Sequence, residues 1–300
     1  MLGGVQETLG TRVITADEET SHGLILTPGF SEWTHSLESL GKTFAKQGYD
    51  AHLKPPIGQE NREQPFYDVE ADADHFKSYV QSISDEYDWI GGIGNSLGGI
   101  TQGVTEAKHP GTFDALVATT TPPTVDTFIP RIGIDALDHT PDAVLKHGSN
   151  LLHQVLNAVN TDYRNRTGRL RPYTKQDDEA QFGATRVTNS SDLANRLRNQ
   201  PRTAQLLKGG EAPVLFAYGG EDTIHTGTAN MRHTGHLPQP VTDMVEGLKE
   251  DERDIFSYVL PEVDHGFNAS TGMDDDFNQD RSYRSIRNVM QNFFTSYGGL

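Results

Sequence analysis

The run Gly94-Asn95-Ser96-Leu97-Gly98-Gly99 follows an apolar stretch, Asp88-Trp89-Ile90-Gly91-Gly92-Ile93, and leads into a segment of helical character. Strand, tight turn and helix in that order leave the backbone little choice. The residues two positions either side of the serine must be small, and the serine hydroxyl is held above the end of a strand with the next helix starting beneath it. One Gly-x-Ser-x-Gly in a chain with 30 glycines carries little weight by itself. Its weight comes from the strands and polar residues that follow it in order.

Short β-like segments open the chain at 5–9 and 12–15. The apolar run Gly23-Leu24-Ile25-Leu26-Thr27, bounded by turn residues, reads as a buried parallel strand. Leu37, Leu40, Phe44 and Ala45 have helical spacing over 36–47, and Gly48 follows as the C-terminal stop. A strand over 49–54 ends at Pro55-Pro56, and an amphipathic helix is expected over 68–84 with Phe76, Val80 and Ile83 on one face. The strand at 89–93, the serine turn and a helix to about 107 come next. Strands over 115–119, 214–218 and 256–260 and a closing helix over 284–297 complete the pattern. Strands alternating with helices imply a mostly parallel sheet covered on both faces.

Residues 124–210 break this rhythm. They are far longer than a crossover needs, contain helix-like pieces at 145–159 and 193–207, and carry a polar segment rich in Arg and Asp at 162–189. We read them as an inserted helical lid. The expected organisation is a core in two parts, 1–123 and 211–300, with the lid 124–210 between them.

Composition excludes several classes of function. Net charge is −17, with 42 acidic against 25 basic residues, which opposes nucleic-acid or anionic-membrane partners. There are no cysteines, so disulfides, thiolate metal sites and cysteine nucleophiles are excluded. No stretch has the length and apolarity of a membrane span, and the first residues have no basic and apolar regions of a secretory leader. These features point to a cytoplasmic protein. The acidic surface fits a salt-adapted protein, whose self-repulsion salt screens, and an ordinary acidic enzyme alike. Oligomeric state is not readable.

A serine hydroxyl needs a base to take its proton and a group to orient that base. In this architecture the order is serine, acid, histidine. Asp222 follows the 214–218 strand in Tyr218-Gly219-Gly220-Glu221-Asp222. His265 follows the 256–260 strand in Pro261-Glu262-Val263-Asp264-His265-Gly266-Phe267. Each therefore stands at the carboxyl end of its own strand, where α/β sheets gather ligands. Ser96 is the candidate nucleophile, His265 the general base and Asp222 its orienting acid. Glu221 and Asp126 compete for the acid, and Asp222 also suits a helix cap. His225, His233 and His236 compete with His265, but none stands at the expected place after a strand.

With these residues the chain resembles the α/β-hydrolase family, and within it the lidded carboxylesterases and monoacylglycerol lipases. The likeness covers 22–122 and 211–297 and is weak across the lid. Asp264-His265-Gly266-Phe267 is similar to the histidine loop of the dienelactone-hydrolase and prolyl-oligopeptidase branches. The resemblance implies an oxyanion hole made by the N–H of Leu97 and an N–H of the loop Pro28-Gly29-Phe30-Ser31-Glu32-Trp33. Phe30 is the implied donor and Ser31 the runner-up. Pro28 stands where the family usually has histidine. Trp33 and Phe30 are candidates for the acyl pocket, as well as for plain packing.

The expected activity is hydrolysis of a small-molecule carboxylic ester, with no metal or organic cofactor. A peptidase or amidase, or an acyltransferase, would use the same triad. A non-catalytic receptor or scaffold on this fold is the alternative of another class, opposed by the complete set Ser96, Asp222 and His265. Metal readings are weaker. The spacing of Asp222, His225, His233 and His236 is broken by Gly and Pro. The run Asp274-Asp275-Asp276-Phe277-Asn278-Gln279-Asp280 has Arg281 and not glycine at the sixth place of the loop, reckoned from Asp276, and Arg287 where a calcium loop ends in glutamate. It reads as a solvated acidic run before the last helix.

Overall fold

The structure is a computed structural model and describes residues 5–8, 11–29, 37–57, 68–124, 190–219, 237, 239–249, 253–260 and 281–300. Eight strands form one sheet: β1 (Val5–Thr8), β2 (Thr11–Ile14), β3 (His22–Thr27), β4 (Asp50–Leu53), β5 (Trp89–Asn95), β6 (Ala115–Thr119), β7 (Val214–Gly219) and β8 (Ile255–Leu260). Their order across the sheet is β1-β2-β4-β3-β5-β6-β7-β8. The pairs β1/β2 and β2/β4 are antiparallel, and every other pair is parallel. The helices are α1 (Glu38–Ala45), α2 (Val69–Ile83), α3 (Leu97–Lys108), α4 (Ser190–Asn199), the short α5 (Thr203–Leu206), α6 (Gln239–Lys249) and α7 (Arg281–Ser296).

The apolar strand runs divide by period two between two cores. Ile25, Leu116, Ala118, Val214 and Phe216 face one side, with Phe76 and Val80 of α2, Ile100 and Val104 of α3, Leu193 and Leu197 of α4, and Met244 and Leu248 of α6. Leu24, Leu26, Val117 and Leu215 face the other, with Phe44 of α1 and Phe294 of α7. All seven residues of β5 are buried, as expected of a strand covered on both faces. Each fully buried large apolar side chain contributes roughly 1.5–3 kcal/mol.

Most elements stand where the sequence pattern puts them, with shifts of a few residues at the ends. Asp68 caps α2, its side chain accepting from Ala71 N–H at 3.1 Å. Two elements differ from expectation. The 193–207 piece is two helices, because Pro201 stops α4 and α5 restarts at Thr203. Helix α6 has no counterpart in the pattern expected from the sequence. Residues 190–207, the end of the stretch read as a lid, bury Leu193, Ala194, Leu197 and Leu207 in the first core. The expected helix at 145–159 and the polar segment at 162–189 lie outside the described residues. The acidic run 274–280 also lies outside them, immediately before α7.

Glu106, fully buried near the end of α3, joins three separate parts of the chain. Its carboxylate accepts N–H groups from Gly111 (2.9 Å), Thr112 (3.0 Å) and Phe113 (3.1 Å), and from Glu211 and Ala212 (both 3.2 Å). It thereby fixes the turn into β6 and the approach to β7. Glu106→Ala strips five donors of one charged acceptor. The expected loss is on the order of 3–5 kcal/mol, read as a lower urea midpoint at unchanged m-value.

Candidate active site

Ser96 stands between the end of β5 and the start of α3 with φ 50° and ψ −112°, a conformation that side chains with a Cβ rarely adopt. The neighbouring glycines are there because backbone, or at Gly99 the Thr121 side chain, occupies the space a Cβ would need. A Cβ on Gly94 would lie 2.4 Å from the carbonyl carbon and oxygen of Gly98. One on Gly98 would lie 2.3 Å from the Thr27 carbonyl oxygen, and one on Gly99 would lie 2.0 Å from Thr121 Oγ1. The turn is closed by Ser96 N–H donating to Thr119 O at 2.7 Å and Gly99 N–H donating to Ser96 O at 3.2 Å.

The Ser96 side chain does not cap α3. The Leu97 N–H belongs to the first helical turn, whose N–H groups find no carbonyl within the helix, at the positive end of the helix dipole. A strained serine beside such a donor is an arrangement in which a hydroxyl can attack a carbonyl and the resulting oxyanion can be held.

The register gathers the strand ends. Asn95 pairs with Thr119, Thr119 with Ala217, and Ala217 with Tyr258. One row thus runs across β5, β6, β7 and β8 immediately before Ser96. The pair Gly219 and Leu260 closes β7 and β8 side by side. Asp222 comes three positions after Gly219 and His265 five positions after Leu260 in the sequence. Asp222, His265, Phe30 and Trp33 lie outside the described residues, as do Glu221, Asp126, Ser31, His225, His233 and His236. Ser96 and Leu97 are the predicted site residues that the structure describes, and it sets them side by side. Among the described residues, no cluster of three or more His, Asp or Glu is placed to hold a metal ion.

Two features, one against the serine helix and one on the far side of β3, are not visible in the sequence. Gln102, buried in α3, donates through Nε2 to Ile25 O (2.9 Å), Thr27 Oγ1 (2.9 Å) and, more weakly, Ile93 O (3.4 Å). It ties the serine helix to the end of β3, the strand that leads into Pro28-Gly29-Phe30. A Cβ on Gly92 would meet Gln102 Oε1 at 2.6 Å, which is why β5 has glycine there.

The second feature is a buried polar seam between β4 and α2. His52 and Lys54, two residues apart, face Tyr79 and His75, one helical turn apart in α2. His52 Nδ1 lies 2.7 Å from the Tyr79 hydroxyl and Nε2 lies 2.9 Å from that of Tyr87, which donates to Asp50 Oδ2 at 3.0 Å. That chain assigns the proton to His52 Nε2 and makes Nδ1 the acceptor. Burial pushes His52 down to about 4, so it is neutral at pH 7. Lys54 Nζ is 2.6 Å from His75 Nε2. Asp72 accepts Ile57 N–H at 2.7 Å, and burial pushes it up to about 7.

An eight-stranded, mostly parallel sheet in this order, with a strained serine at the end of β5, defines the α/β-hydrolase fold. No protein-family model and no curated protein matches this sequence. Solved structures match it as a fold. MenH from S. aureus is 15% identical at a TM-score of 0.61, with 96% of this chain and 99% of that one covered. A carboxylesterase of the thaumarchaeon Nitrososphaera gargenis is 15% identical at 0.61, covering 96% and 95%. An acylaminoacyl peptidase of Pyrococcus horikoshii is 12% identical at 0.55. There the match takes in 96% of this chain but 39% of the peptidase. No helix among the described residues is long and apolar enough to cross a membrane.

Proposed function

We propose that this protein is a serine hydrolase that cleaves a small-molecule carboxylic ester through an acyl-Ser96 intermediate. The observation that carries the reading is the backbone at Ser96, strained at the carboxyl end of a fully buried strand and followed at once by the N-terminal turn of α3. In this mechanism His265 takes the Ser96 proton as the hydroxyl attacks the ester carbonyl. Asp222 orients the imidazole and stabilises its cation. The N–H groups of Leu97 and Phe30 hold the oxyanion. Collapse of the tetrahedral intermediate breaks the ester C–O bond, and His265 returns the proton to the leaving alcohol. His265 then activates a water molecule that cleaves the acyl-enzyme, and Ser96 recovers its proton. The chemistry as written needs no metal or organic cofactor. Trp33 lines the acyl pocket, and the insertion 124–210 between the core parts 1–123 and 211–300 carries the lid, with its last helices α4 and α5 packed on the core.

The test is a p-nitrophenyl ester series from acetate to palmitate, with a matched p-nitroanilide series beside it. Ester turnover with a chain-length optimum is the expected result, and that optimum sizes the acyl pocket. Turnover of the anilides alone would replace the ester reading by an amidase. Turnover of neither, by folded protein at low and high salt, would overturn it.

A further inference from the structure

Among the described residues two non-glycine residues have positive φ, Ser96 at 50° and Thr120 at 46°. They stand at the ends of neighbouring strands, Ser96 after β5 and Thr120 after β6. The strain at Ser96 belongs to the elbow. At Thr120 it needs its own cause, because a β-branched residue at positive φ is an outlier that the surroundings must hold in place.

The surroundings do hold it, and they are the elbow and β7. Thr120 N–H donates to Ala217 O at 2.8 Å. Its hydroxyl donates to Asn95 Oδ1 at 3.0 Å, and the Thr119 hydroxyl donates to the same oxygen at 3.0 Å. Asn95 is the residue before Ser96, and Thr119 O receives the Ser96 N–H. Past the turn, Thr121 fills the space that Gly99 leaves open on the first turn of α3. The Thr121 carbonyl accepts the buried Tyr218 hydroxyl at 2.6 Å, and the Pro122 and Pro123 carbonyls accept the hydroxyl and N–H of Thr203. The strained turn is thus pinned on β7 and α5 and pressed against both sides of Ser96.

We infer that Thr120 is a positioning residue for Ser96: its left-handed turn, locked to Asn95 and Ala217, sets the serine hydroxyl and the Leu97 N–H relative to β7, the strand that leads towards Asp222. The inference rests on the reading of Ser96 as a nucleophile. A residue that only shaped a loop would gain from glycine, which adopts positive φ without strain. A positioning residue would lose rate from the same change, because the turn is no longer held to one geometry. Misplacement of reacting groups by about an ångström costs up to roughly a hundredfold.

The test compares Thr120→Gly, Thr120→Val and Thr120→Ser with wild type. The readouts are the rate of covalent labelling of Ser96 by a fluorophosphonate, kcat and KM on one p-nitrophenyl ester, and the urea midpoint. Thr120→Val keeps the branched shape but loses the bond to Asn95, and Thr120→Ser keeps the bond. We expect labelling and kcat to fall between about tenfold and a hundredfold in Thr120→Gly and Thr120→Val, at similar KM. Thr120→Ser should recover most of the loss. Rates equal to wild type in folded Thr120→Gly or Thr120→Val overturn the inference and leave the hydrolase reading standing. Wild-type protein that is not labelled at Ser96 overturns both.

Discussion

Ser96→Ala is expected to abolish ester turnover, a loss on the order of 10⁶-fold if the serine acts as other triad nucleophiles do, and to leave the urea midpoint close to wild type. The two halves have separate causes. Activity is lost because alanine has no hydroxyl to attack the ester carbonyl. Stability is kept because the hydroxyl does not cap the helix. The bonds that close the turn run through backbone atoms, Ser96 N–H to Thr119 O and Gly99 N–H to Ser96 O. Alanine meets the same conformational cost as serine at φ 50°, since both have a Cβ. The check is steady-state hydrolysis and urea unfolding of the two proteins side by side. Turnover that survives in folded Ser96→Ala would remove the acyl-Ser96 mechanism, and a large drop in midpoint would show that the hydroxyl has a structural partner.

The centre of the sheet was legible because β3, β6 and β7 are apolar runs closed by turn residues, and the serine turn because steric demand writes glycines at fixed distances from Ser96. Such signals are local, and periodicity or spacing reads them directly. Helix α6 was obscured by Leu237-Pro238-Gln239-Pro240, which reads as loop punctuation. In the fold Pro240 sits in the first turn, where a missing N–H costs nothing. Behind it Val241, Met244, Val245 and Leu248 have helical spacing and are buried. The break at Pro201 was written in the sequence too, but apolar residues on either side of it kept a helical rhythm.

The polar supports of the site were not legible, because each joins residues far apart in the chain. Gln102 looks like a solvent-facing helix residue until β3 is laid beside α3. Glu106 looks the same until the turns at 111–113 and 211–212 come to it. Thr119-Thr120-Thr121 reads as a polar end to an apolar strand. Nothing in those three residues announces that the middle one has a left-handed backbone, since that depends on Asn95 and Ala217 from two other strands. Composition places polar residues at strand ends in general, whereas only the register says which of them meet.

The second large effect is expected at Asp222. Asp222→Asn should lower kcat by about 10⁴-fold with a much smaller change in KM, because an asparagine leaves the imidazole in the wrong tautomer and its cation without a counter-charge. The argument for this acid is one of strand order. In the sheet β7 lies between β6 and β8, its last residue Gly219 pairs with Leu260, and Asp222 and His265 follow those two residues at short distances in the sequence. An acid leaving β7 and a histidine leaving β8 thus start from adjacent points on the carboxyl edge. Asp126 would start from β6, the strand between the serine and β7, and Glu221 from the same β7 loop. Measuring Asp222→Asn, Asp126→Asn and Glu221→Gln together decides among them. A loss of this size confined to Asp222→Asn fixes the acid on β7 at that position. The same loss in Asp126→Asn, with Asp222→Asn near wild type, would move the acid to β6, where Thr120 would stand between the nucleophile and the group that orients its base.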